Sequence, residues 1–140
     1  MRFKYLAIGL LVAVIPVAGA AGALQKGTTS LHATMTGKAE TPKGDPDGSG
    51  TAEIKITGTK VCWEFHTAKV GKLLAAHIHK GAPGAAGAVV VPFGATFKAK
   101  GCTVASASLA AAIIKSPGKY YVNVHNAKYP GGALRGQLHS

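Results

Sequence analysis

Carboxylates are scarce in this chain: five Asp and Glu stand against sixteen Lys and Arg in 140 residues. So few acidic groups leave little material for a Ser-His-Asp triad, and no serine stands in a Gly-x-Ser-x-Gly elbow. A glycine-rich phosphate loop between a strand and a helix is missing too. The lysines are scattered from Lys26 to Lys128 with no run and little aromatic interleaving, which argues against a nucleic-acid groove. No internal repeat and no second domain can be traced. The apolar opening, Tyr5 to Ala18, is interrupted by Pro16 and is short beside the roughly 20 residues of a membrane span.

What is present begins with an export signal over residues 1–23. Arg2 and Lys4 form a basic start, the apolar run follows, and Gly19-Ala20-Ala21-Gly22-Ala23 supplies small residues for cleavage after Ala23 or after Ala20. No cysteine stands there to take a lipid. Cleavage leaves a short linker, 24–30, and one domain over 31–140, with no stable membrane span. The expected location is the periplasm, the cell surface or the extracellular space. In such a compartment the two cysteines, Cys62 and Cys102, are read as one disulfide. The formal net charge of +11 suits attraction to an anionic envelope component or a protein partner, whereas export disfavours nucleic acid.

Alternation dominates the domain. Thr51 to Thr57 places Ala52, Ile54 and Ile56 on one face, Lys60 to His66 places Val61, Trp63 and Phe65 together, and Gly58-Thr59 turns between them. Leu31 to Gly37 reads as a first strand and Ala88 to Phe93 as a short apolar one. Ala133 to Leu138 reads as the last. Thr41 to Gly50 and Gly81 to Gly87 read as loops, the Asp45-to-Gly50 stretch being a plain turn rather than a calcium loop. Ala105 to Lys115 is the one helix, capped by Ser106 or Ser108 and ended by Pro117-Gly118. The pattern predicts an all-β fold, an antiparallel β-sandwich or Greek-key barrel with one short helix.

Function centres on Ala76-His77-Ile78-His79-Lys80-Gly81. On a strand His77 and His79 share a face about 6.8 Å apart while Ile78 faces the other way. Downstream, Tyr121, Asn123 and His125 share one face and Val122 and Val124 the other. With Ile78 and the valines in the core, His77, His79 and His125 can meet. Imidazoles favour copper or zinc over calcium, and three histidines with an open position suit copper ahead of zinc. His66 is the foremost candidate for a fourth ligand, with His32, Met35 or water as others. The competing reading makes the histidines fasteners that hold the Gly81 to Gly87 loop closed. His139 is expected to fray, and Arg135 to pair with Glu40 or Glu64.

Four segments in order, Ala39-Glu40-Thr41-Pro42, Ala76 to Gly84, Tyr121 to His125 and Pro130 to Leu138, resemble the CHRD domain, named after chordin and found in exported microbial proteins. The resemblance spans Leu31 to His139 and implies an extracytoplasmic β-sandwich module. Ala133 stands where the family often has an acidic residue, and Lys43 replaces a common proline. A weaker resemblance is to copper/zinc superoxide dismutase, which implies copper at the H-x-H strand. That family's second set of zinc ligands is not found here. The expected function is therefore a non-enzymatic metal-binding module. A structural or adhesive module is the alternative, and a degenerate dismutase-like enzyme the third.

Overall fold

In the computed structural model, which describes residues 27–140, the alternating segments join one eight-stranded antiparallel sheet. Its strands are β1 (Thr28–Thr36), β2 (Ser49–Thr57), β3 (Lys60–Ala68), β4 (Leu73–Lys80), β5 (Ala88–Pro92), β6 (Lys100–Val104), β7 (Tyr120–Asn126) and β8 (Leu134–Gln137). Their order across the sheet is β5-β4-β7-β8-β1-β2-β3-β6. The expected all-β class is therefore observed. The single α-helix, α1 (Ala107–Lys115), begins where the Ser106 hydroxyl accepts a hydrogen bond from the Leu109 N–H at 3.2 Å.

The sheet curls into a half-barrel because its inner face is continuously apolar. Leu31, Ile54, Ile56, Val61, Ile78, Val122, Val124 and Leu134 are fully buried. Each contributes about 1.5–3 kcal/mol of transfer free energy. Residues 93–99 bridge the open side: the Phe93 and Phe97 N–H groups donate to the Ala76 and Leu74 carbonyls. Across the gap, the Trp63 indole donates to Lys98 O at 2.9 Å and the Phe65 N–H to Ala99 O. Phe93 then stacks on Trp63 with ring centres 4.3 Å apart, so the two ends of the sheet share one core.

Two expectations change. The first strand starts at Thr28, so Thr28 to Ser30 belong to β1 rather than to a linker. The signal over 1–23 and linker residues 24–26 lie outside the described residues. Strand β6 was not predicted, since Lys100-Gly101-Cys102-Thr103-Val104 has no apolar alternation. It forms because Cys62 and Cys102 stand opposite one another and are joined as a disulfide. Gly101 is required there, because a Cβ would strike the Trp63 ring.

Candidate metal centre

The pairing of β4 with β7 sets Ile78 opposite Val122 and Ala76 opposite Val124 on the core side. The alternate residues fall on the outer face, with His77 opposite Asn123, His79 opposite Tyr121 and His125 opposite Ala75. His77 and His125 thereby become diagonal neighbours, within reach of long side chains. This outer face is not wet. Tyr121, Asn123, His79 and Arg135 are all buried, with Arg135 only 1% exposed.

The cover is the loop from Gly81 to Gly87. The Arg135 guanidinium donates to the Ala85 and Ala82 carbonyls, each at 2.8 Å, and lies over the Tyr121 ring at 3.4 Å. The Gln137 amide donates to Gly81 O at 2.6 Å. The Gly87 N–H donates to the Tyr121 hydroxyl at 3.1 Å, and that ring stacks on His79 at 4.8 Å. Gly87 passes so close to the Lys80 carbonyl that no Cβ fits. The expected pairing of Arg135 with Glu40 or Glu64 gives way to these loop contacts. Glu64 instead meets Lys100 at 2.7 Å and His66 at 3.0 Å.

A carbonyl acceptor fixes the tautomer of His79. His79 Nδ1–H donates to Gly87 O at 2.8 Å, which leaves its Nε2 as a lone pair, buried and without a partner. His125 Nδ1–H donates to Pro130 O at 2.9 Å, and its Nε2 stands 3.1 Å from His77 Nδ1. Asn123 Oδ1, which can only accept, lies 3.0 Å from that same Nε2. One ligand atom from each of His77, His79 and His125 lies within 4.8 Å of the others. Two ligands about 2.0–2.1 Å from one ion stand about 3.3 Å apart at a tetrahedral angle, so the His77–His125 separation already fits. The 4.8 Å limit means that His79 would have to draw inward.

Electrostatics suit ligand chemistry. Burial, followed by the neighbouring charges of His125 and His79, pushes His77 down to about 4, opposed by a hydrogen bond that its ring donates to Asn123. Burial also lowers His125, against the Pro130 hydrogen bond. Both rings are therefore neutral near pH 7, the form that binds metal. Beside Asn123, Glu40 is buried with one carboxylate oxygen unpartnered, and burial raises its pKa against the Asn123 hydrogen bond and the Arg135 charge.

The sequence-predicted fourth ligands lie elsewhere. His66 projects from β3 beside Glu64, His32 stands on the outer face of β1, and Met35 is fully buried in the core. Asp45 forms the expected plain turn, its Oδ1 accepting from the Asp47 and Gly48 N–H groups. Sequence reasoning missed the buried environment of Glu40 and Asn123. The signal was present in β7, whose Tyr120 to Asn126 carries no Lys, Arg, Asp or Glu on either face.

Among known proteins, residues 31–138 match the family model described as the CHRD domain. No curated protein and no solved structure matches the chain.

Proposed function

This chain belongs to the CHRD domain family, and from that premise we propose that it is an exported, non-enzymatic module that binds a transition-metal ion through His77, His79 and His125. Copper is the first choice and zinc the second, from the affinity order of imidazole sites. The observation that carries the reading is the buried, unpartnered Nε2 of His79, held beside the other two rings. A buried polar atom without a partner costs about 1–3 kcal/mol, which ligation would remove. The hydrogen bonds from His79 to Gly87 O and from His125 to Pro130 O orient the rings in the manner of outer-shell partners of metal-bound histidine. Export agrees with the disulfide and with a family of extracellular domains. No helix among the described residues is long and apolar enough to cross a membrane.

The same two carbonyl contacts favour a second reading, in which the histidines only fasten loops and the basic surface meets an anionic envelope component or a protein partner. Calorimetric titration of the metal-free protein with copper(II) and zinc(II), beside a His77→Ala/His79→Ala variant, separates the two. Tight binding in the parent that disappears in the variant is the expected result. Equal, weak binding in both would leave the loop-fastening reading.

A further inference from the structure

The three histidines outside the candidate centre are not dispersed. His32, His66 and His139 line one shallow depression on the outer face of β1, β2 and β3, together with Glu53 and Glu64. These two are among the chain's five acidic residues. Register explains the grouping. His32 lies opposite Glu53, and Glu53 opposite Glu64, so these three side chains form one row across the sheet. His139 joins the row from the other side through a bridge with His32, whose two backbone hydrogen bonds measure 2.8 and 2.9 Å. The fraying expected of His139 does not occur, because the preceding Leu138 is 1% exposed and anchors the chain in the core.

We infer that His32 and His139, with the Glu53 carboxylate as third ligand, form a second, solvent-open site for a divalent transition-metal ion such as zinc(II). An ion about 2.0–2.1 Å from a ring nitrogen lies about 3.1 Å from that ring's centre, so two imidazoles that share it at a tetrahedral angle have their centres about 5.1 Å apart. The His32 and His139 ring centres are 6.2 Å apart. Both side chains are exposed, and closing further needs only rotation about their own bonds. Glu53 meets Lys55 at 3.2 Å, a surface ion pair that yields readily to a stronger cation. Carboxylates directly opposed across strands repel, so a cation beside Glu53 also relieves its facing Glu64. His66, held by Glu64, borders the site without being a required ligand. With two nitrogens, one carboxylate oxygen and water completing the shell, this site is weaker than a buried three-histidine one and exchanges its ion freely with solvent.

The test is zinc(II) titration of the metal-free protein, read by the ring-nitrogen NMR signals of each histidine. The parent, a His32→Ala/His139→Ala variant and the His77→Ala/His79→Ala variant are compared. His32 and His139 are expected to shift together and saturate with one dissociation constant, in the parent and in the His77→Ala/His79→Ala variant alike. Glu53→Gln should weaken that binding, since it removes the charged oxygen ligand and leaves both imidazoles. The His32→Ala/His139→Ala variant, whose changes lie on the surface, should lose this event and nothing else. Failure of His32 and His139 to move with zinc, or movement without saturation, would overturn the inference. The outcome is independent of the His77, His79 and His125 centre, which has its own ring signals.

Discussion

Burial drives His77 down and Glu40 up, and the two residues therefore link pH to stability with opposite signs. The folded pKa of His77 is about 4, against 6.5 for the unfolded chain. Between those values the unfolded chain takes up a proton that the folded one refuses. The stability contributed by a neutral His77 is thus full above pH 6.5 and falls as pH drops toward 4, with His125 acting in the same direction. Glu40, with a raised folded pKa, contributes stability at low pH that is lost as pH rises. Thermal unfolding of metal-free protein should show a midpoint that declines across pH 6.5 to 4, with a shallower decline in His77→Ala. An unchanged slope would mean that His77 titrates normally. At this scale the histidines were legible, because alternation in two strands fixes their faces. Glu40 was not, because the turn after β1 carries it to Asn123 on the outer face of β7, and no local spacing records that crossing.

Cover is a property of elements, and it separates the two halves of the sheet. On β1 to β3 the outward residues meet water, and the alternation read from the sequence describes the central residues of each strand. On β7 both faces are buried, the outer one by the Gly81 to Gly87 loop. The last strand was legible, yet the contacts of its Arg135 and Gln137 with a loop some 50 positions away were not. Strand β6 was equally hidden, since its place depends on a partner strand and a disulfide rather than on its own pattern. Arg135→Lys loses the two-pronged grip on Ala82 and Ala85 and the flat stack on Tyr121. It should cost about 2–4 kcal/mol in denaturant unfolding, since hydrogen bonds to a charged group are worth about 1.5–3 kcal/mol. Hydrogen exchange should quicken at the Gly81 and Gly87 amides while those of β1 to β3 hold. Uniform acceleration across the sheet would show that Arg135 supports the whole fold rather than the loop.

The whole molecule divides its labour between the faces of one curled sheet. Apolar side chains fill the inside and close the half-barrel through Trp63 and Phe93. The Cys62–Cys102 disulfide ties edge strand β6 to β3 over a separation of 40 residues, which loop entropy values at about 4 kcal/mol. With the core thus supplied from within, the outer surface is free to carry the chain's six histidines in two groups of three. The central claim is that His77, His79 and His125 bind one ion together. X-ray absorption of the His32→Ala/His139→Ala variant, loaded with one equivalent of copper(II), tests it most directly by counting imidazoles around the metal. Three imidazole nitrogens at about 2.0 Å are expected, falling to one when His77 and His79 are also replaced. A shell of oxygen with one imidazole or none, unaltered by that replacement, would contradict the account.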